Sequence, residues 1–315
     1  MSIIYSMKTE IKAPHGRETY IADFGNGLVM KRPLPEFSQA QKDKWLEKQH
    51  RTKNVIDEVV SLNHVGYYNI PKMIFIKDDE YQLLEERAPG VPLTADLYAG
   101  LNPRQRNEIV NSMAHFLVDM NELSTKPVEP EITHKIASEL KMSRLQHIIE
   151  DKMPQWFDWT EVKYMAYLMQ DIDMFEYTTR KAWSHCDLNS SNVLYDPQTS
   201  RISFIDFAEA NYNFIYRDIF SPLSIDLQIC RAVYEEYMKL HDKEKFRMPG
   251  SRNPELKNIM RYRILTVLLK RFIKAGDDLR LNPGSDKTRE NNAKKVQFMR
   301  QLITSLRYVE SQLGK

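Results

Sequence analysis

Glycine and cysteine are both scarce in this chain, which has 10 Gly and 2 Cys in 315 residues. So little glycine argues against long flexible linkers. The two thiols, Cys186 and Cys230, make neither a disulfide framework nor a zinc-ligand spacing, and they fit a reducing, intracellular compartment. Long apolar runs are missing too. The first twenty residues hold no stretch long enough for a signal-peptide core, and the run at 264–269 is far too short to span a bilayer. Charge of one sign is not in excess: the net charge is +2, which argues against a chain given over as a whole to nucleic acid or a membrane surface. These absences lead us to expect a cytoplasmic protein with no membrane partner.

What is present is the composition of a globular protein, 42% hydrophobic and 28% charged. The length suits two lobes or domains better than one core. Charge is uneven along the chain, because residues 239–300 carry 17 Lys/Arg against 7 Asp/Glu. Such a segment either faces an anionic ligand or is a set of solvated helix faces, and composition leaves both open.

Residues 5–32 read as three strands. Their β-prone runs are broken at His15-Gly16-Arg17 and at Gly25-Asn26-Gly27, and Asn26-Gly27 is a two-residue hairpin signal. Residues 38–65 read as helix, in one piece or two, capped by Ser38 and with Val55, Val59, Leu62 and Val65 at helical spacing. Two more strands follow at 74–76 and 81–84, turning at Asp78-Asp79. Pro89-Gly90 then marks a break. Beyond Pro92 the pattern is mainly helical. Asn102-Pro103 starts a helix whose stripe of Ile109, Met113, Phe116, Leu117, Met120 and Leu123 is a core face. More helices are expected over 133–183. Short strands at 183–185, 193–195 and 202–205 interrupt, with polar loops between them, and helices resume after Asp218. The expected fold is α+β and bilobal. A small N-terminal lobe, 1–90, holds a five-stranded antiparallel sheet and one helix, and a large, mainly helical lobe spans 91–315.

The polar loops carry the chemistry. The sequence reads His185-Cys186-Asp187-Leu188-Asn189-Ser190-Ser191-Asn192, and an apolar strand follows that ends at Asp206. Phosphoryl transfer asks little covalent help of a protein. It needs an acceptor hydroxyl held in line and metal ions bridging the phosphate oxygens. An Asp beside the acceptor orients it and takes its proton. An Asn five residues on reaches back to magnesium, and an Asp at a neighbouring strand end supplies more of the hard oxygen that this ion prefers. Asp187, Asn192 and Asp206 match those three requirements.

On these residues the chain resembles the aminoglycoside phosphotransferase and choline kinase branch of the protein-kinase-like superfamily. Where that family usually has His-Gly-Asp, this chain has Cys186 in the middle. The resemblance implies a kinase that uses ATP or GTP with Mg2+, with Asp187 as catalytic base and Asn192 and Asp206 as metal ligands. It further implies that Lys31 contacts the nucleotide phosphates and that a helix glutamate pairs with it. Glu58 is the candidate, with Glu47 its competitor. Gly16 and Arg17 sit where a phosphate-covering turn belongs, and Glu86 and Arg87 where adenine meets backbone. His185 and Asp218 are read as braces of the catalytic loop.

Eleven residues separate Asp206 from Asp218, fewer than a protein kinase's activation segment usually has, and no Ala-Pro-Glu closes the stretch. A small-molecule acceptor is therefore expected. Glu209, Asp226, Glu235 and Glu236 would suit a polycationic aminoglycoside, whereas the basic segment at 239–300 would suit a neutral or anionic acceptor. Tyr212, Phe214, Tyr216, Tyr234 and Tyr237 would stack on a sugar or cage a quaternary amine, or simply fill core. A protein kinase of the same branch, a silent binding module and a nucleic-acid partner for the basic third are the competing readings.

Overall fold

The computed structural model describes residues 9–11, 19–63, 65–124, 158, 160–161, 181–214, 217–219 and 227–240, with 297, 300, 304 and 307. The chain divides into two compact units, Met1–Pro127 with Ala182–Asp242 and Val128–Lys181 with Lys243–Lys315. The residues that build the site all belong to the first. The turn at Gly16 and Arg17, nearly all of the helices expected over 133–183, Tyr216, Asp226 and nearly all of 239–300 lie outside the described residues, while 181–183, the end of that expected helical span, are strand.

Five strands make one antiparallel sheet: β1 (Thr9–Ile11), β2 (Thr19–Gly25), β3 (Leu28–Pro33), β4 (Met73–Lys77) and β5 (Gln82–Glu86), in the order β1-β2-β3-β5-β4. The β2–β3 hairpin turns on Asn26 and Gly27, both at positive φ, the geometry of a primed two-residue turn. Register then sorts the side chains by period two. Ala22, Met30 and Leu84 lie abreast on one face, where Tyr20, Phe24 and Leu28 pack on them. The opposite face pairs Ile21 with Lys31 and Val29 with Glu85.

Helix α1 (Gln39–Leu62) is one unbroken helix. Ser38 and Gln41 form a reciprocal capping box at its start. Its buried residues, among them Trp45, Gln49, Thr52, Ile56 and Val59, recur at helical spacing. Between β4 and β5 the turn expected at Asp78-Asp79 is a 3₁₀ turn, Asp78–Glu80, closed by Tyr81 at φ 51°.

After β5 the chain enters a second, smaller sheet. Strand β6 (Val91–Pro92) pairs with β8 (Val193–Asp196), which pairs with β9 (Arg201–Phe204). Gly90 makes the approach possible. Its φ is +102°, and a Cβ there would stand 2.5 Å from the carbonyl oxygen of Tyr195. A further stitch comes from Asn69, whose N–H donates to Ile202 O at 2.8 Å and whose carbonyl accepts from Phe204 N–H at 2.9 Å. Strand β7 (Lys181–Ser184) pairs with β10 (Asn211–Phe214).

Helices α2 (Ala95–Gly100), α3 (Pro103–Asn121) and α4 (Leu227–Leu240) complete the described elements. Asn102 and Gln105 cap α3 reciprocally, and its stripe is buried as its spacing predicts. Phe116 stacks on Phe204 with centroids 3.8 Å apart, and Tyr68 meets both rings edge-on. An aromatic core thus runs from α3 to β9, and such pairs add about 0.5–1.5 kcal/mol each beyond area burial. Buried Asn121 donates to Trp183 O at 2.8 Å and accepts from Tyr237 Oη–H at 2.6 Å, fastening α3 to β7 and α4. Among the described residues no helix is long and apolar enough to cross a membrane.

Candidate active site

The loop between β7 and β8 carries His185 to Asn192, and Asp206 follows β9. His185 is fully buried. Its Nε2 lies 3.0 Å from Ile205 O. A carbonyl only accepts, so Nε2 bears the proton, and Nδ1 is left to accept from Asp187 N–H at 3.4 Å. Burial holds this imidazole below the ordinary histidine value, against the opposing pull of Asp218, Ile205 O, Asp206 and Asp187. Asp218 is 2% exposed. Its carboxylate accepts from the N–H groups of His185 and Cys186, and Arg217 donates to Cys186 O at 3.3 Å. Cys186 sits at φ 67°, a left-handed conformation that glycine reaches without strain and a side chain does not.

Asn192 donates through Nδ2 to Asp187 O at 2.8 Å and to Asp187 Oδ2 at 3.1 Å. Its own carbonyl oxygen, Oδ1, is the atom a hard cation would take. Its backbone carbonyl accepts from Ile205 N–H at 3.1 Å. Ile205 therefore bonds both ends of the loop, His185 and Asn192, and this pins the residue next to Asp206. Asp206 itself is left-handed, at φ 62°. Strain of this kind persists where the surroundings enforce it.

One cavity of about 700 Å³ gathers these groups. Lys31, Asp187, Asn192 and Asp206 all line it, with Ile21 and Val29 from the sheet, Trp45, Lys48, Gln49, Thr52 and Ile56 from α1, and Glu85 to Ala88 at the end of β5 and just beyond it. Among the described residues its charged lining is five carboxylates (Glu85, Glu86, Asp187, Asp206, Glu209) against three cations (Lys31, Lys48, Arg87). Among the described residues no three acidic, histidine or cysteine side chains cluster to hold a metal by themselves. The donors fit an ion that draws further ligands from a phosphate and water, as magnesium does.

One expectation needs correction. Lys31 pairs with Glu85 at 2.6 Å, not with Glu58. Burial alone would lower the Lys31 ammonium, but the Glu85 carboxylate, with Asp206 beyond it, more than offsets that and holds it above the ordinary lysine value. Glu58 lies near the end of α1 on another face, and its Oε1 accepts from the N–H and hydroxyl of Ser124, the latter at 2.6 Å. Glu47, the competitor, is exposed and does not line the cavity. Glu86 and Arg87, read as the place where adenine meets backbone, both line the cavity, and their N–H groups donate within the protein, Glu86 to Lys72 O at 2.9 Å and Arg87 to Gly27 O at 2.7 Å. The Arg87 guanidinium is 2.7 Å from Asp23. Sequence reading missed Glu85 altogether. Strand alternation was the available signal, because Glu85 shares a face with Leu83, which lies opposite Lys31. It also missed the ion pair of Lys48 with Glu209 at 2.8 Å, which brings α1 against the turn after Asp206.

The chain resembles solved structures over nearly its full length. The GDP complex of wild-type aminoglycoside 2'-phosphotransferase-IIIa is 16% identical, with a TM-score of 0.64 over 95% of this chain and 94% of that one. The streptomycin–ATP–APH(2")-IIa ternary complex is 14% identical, with a TM-score of 0.59 and 94% of each chain covered. Choline kinase LicA from Streptococcus pneumoniae is 13% identical, with a TM-score of 0.51, covering 91% and 90%. At such identities the likeness speaks for the fold, which is kinase-like. No curated protein matches the sequence significantly. The model of the phosphotransferase enzyme family matches residues 26–246, a span that holds Lys31 and the whole segment from His185 to Asp218, and so this chain belongs to that family and is a phosphotransferase acting on hydroxyl groups.

Proposed function

We propose that the chain moves the γ-phosphoryl group of magnesium-bound ATP or GTP to a hydroxyl of a small molecule that is aminoglycoside-, sugar- or amino-alcohol-like. The observation that carries this reading is the cavity that gathers Lys31, Asp187, Asn192 and Asp206 from three separate places in the sequence. We read the sheet part, 1–90, as the small lobe of a kinase and 91–315 as its large helical lobe.

In this reading Lys31 takes phosphate oxygens and Asn192 and Asp206 take the metal. The cavity's excess of carboxylates suits a nucleotide that arrives with its metal and would repel a bare triphosphate. When bound, the ion neutralises charge on the transferring and leaving oxygens. Asp187 is exposed to the cavity while Asn189 and Asn192 hold its carboxylate at 3.2 and 3.1 Å. It is thus fixed in place to align the acceptor hydroxyl and receive its proton. His185 and Asp218 keep the loop in shape. Gly16 and Arg17 would cover the phosphates, and with the N–H groups of Glu86 and Arg87 engaged, the purine's backbone contact falls at Ala88.

The test is transfer from Mg·ATP and Mg·GTP to aminoglycosides, sugars, choline-like amines and generic protein substrates. With the acceptor found, Asp187→Ala is expected to lower kcat by about 10²–10⁴-fold, with the nucleotide Kd held within about twofold. Asp206→Ala should remove the magnesium dependence of nucleotide binding. An Asp187→Ala enzyme that keeps most of its transfer rate would show the mechanism to be wrong.

A further inference from the structure

We propose that Glu85, on β5, is the positioning residue for Lys31, so that the ionic partner of the phosphate-contacting lysine comes from the sheet and not from the helix. This deepens the phosphotransferase reading and rests on it. In an arrangement where a helix acid holds the lysine, the charge of that lysine in the site depends on where the helix sits. Here every acid of α1 is placed elsewhere. Asp43 accepts from Tyr81 Oη at 2.6 Å and from Gln39 at 2.8 Å. Glu47 is exposed. Asp57 pairs with Lys53 at 2.6 Å, and Glu58 is taken by Ser124.

The helix side chains that do line the cavity are Trp45, Lys48, Gln49, Thr52 and Ile56, none of them acidic. Thr52 is 4% exposed and its hydroxyl has no hydrogen-bond partner. A cation brought to that wall would find no countercharge. Glu85 supplies one from the sheet. It is 8% exposed and stands on the strand beside Lys31, diagonal to it across the β3–β5 ladder, with the ammonium and carboxylate 2.6 Å apart. Neighbouring strands bonded edge to edge hold that diagonal fixed, so Lys31 is aimed by backbone register. The remaining charged groups of the lining are Lys48, Glu86, Arg87, Asp187, Asp206 and Glu209, and of these Lys48 and Arg87 have partners of their own at 2.8 and 2.7 Å.

The experiment compares wild type, Glu85→Gln and Glu58→Gln in the full chain, with circular dichroism as the check that each folds. Glu85→Gln keeps the shape of the side chain and removes its charge. Acylation of Lys31 by acetic anhydride at pH 8, followed by mass spectrometry, needs no nucleotide and no acceptor. Glu85→Gln is expected to speed it about tenfold, because a buried ammonium without its carboxylate gives up its proton more readily, and Glu58→Gln is expected to leave it unchanged. In transfer assays Glu85→Gln should raise the nucleotide KM about tenfold or more, with a smaller change in kcat. That rise should vanish in a Lys31→Met background, since the effect acts through the lysine. Unchanged Lys31 acylation in Glu85→Gln, or an equal response in Glu58→Gln, overturns the proposal. Faster acylation in a chain that neither binds nor turns over nucleotide upholds the pairing and sinks the phosphotransferase mechanism instead.

Discussion

The loop from His185 to Asn192 depends on a cysteine held where glycine is at ease. Cys186 at φ 67° is flanked by the buried His185 and by Asp187; its own N–H and that of His185 donate to Asp218, and its carbonyl accepts from Arg217. Relief of the left-handed strain is worth roughly 1–2 kcal/mol, less about 0.4–1 for the added freedom of a glycine in the unfolded chain. Cys186→Gly is therefore expected to raise the urea midpoint slightly with activity kept, and Cys186→Val to lower the unfolding free energy by about 2 kcal/mol or more. The neighbouring His185 gives a pH signature. Its folded-state pKa lies below the unfolded 6.5 because burial penalises the charged ring. Below 6.5 the unfolded chain binds a proton that the folded one refuses, so this contribution is complete above 6.5 and drains away as pH falls toward the folded value. Urea midpoints measured from pH 7.5 to 5.5 should drop for the wild type and drop less for His185→Gln. A flat wild-type profile would remove the argument. At this scale the sequence was most readable where the residues are close together: Asp187 and Asn192 are five apart, and one loop carries both. Glu85 was not readable as the partner of Lys31, because the two lie 54 positions apart and only strand register makes them neighbours.

Among the elements, the least conspicuous strand matters most. Two residues, Val91 and Pro92, make β6, and Gly90 is what lets the chain approach Tyr195 closely enough to form it. Gly90→Ala puts a methyl 2.5 Å from a backbone oxygen at a φ that only glycine tolerates, and we expect it to cost about 2–4 kcal/mol, seen as a fall in thermal midpoint and a loss of activity greater than at the exposed Gly27 of the hairpin. The hairpin, α1 and α3 could be foreseen because their signals are local: a two-residue turn, a capping box, a stripe at helical spacing. Strand β6 and the Asn69 stitch could not, since a two-residue pairing carries no periodicity and its partners lie more than a hundred residues away. The Lys48–Glu209 contact was hidden for the same reason, as α1 and the turn after Asp206 meet only once the chain has folded back.

For the whole molecule, the charge of the cavity sets what it will accept. On the proposed reading, five carboxylates against three cations among the described lining residues are expected to disfavour nucleotide without metal. With Mg·ATP or Mg·GTP at about a hundred times Kd, the linkage gain is about 2.7 kcal/mol, or roughly 4 °C in thermal midpoint for a chain of this size. Excess EDTA with the same nucleotide should erase most of that shift, and an equal shift without metal would contradict the charge argument. The stitching of β6 and Asn69 onto the β8–β9 hairpin has a geometric consequence as well. Asn192 enters the hairpin and Asp206 leaves it, so the pairing of β8 with β9 sets the spacing of these two. Lys31 takes its place from a different source, the register of the five-stranded sheet. Two independent sets of strand pairings thus gauge the two sides of the cavity.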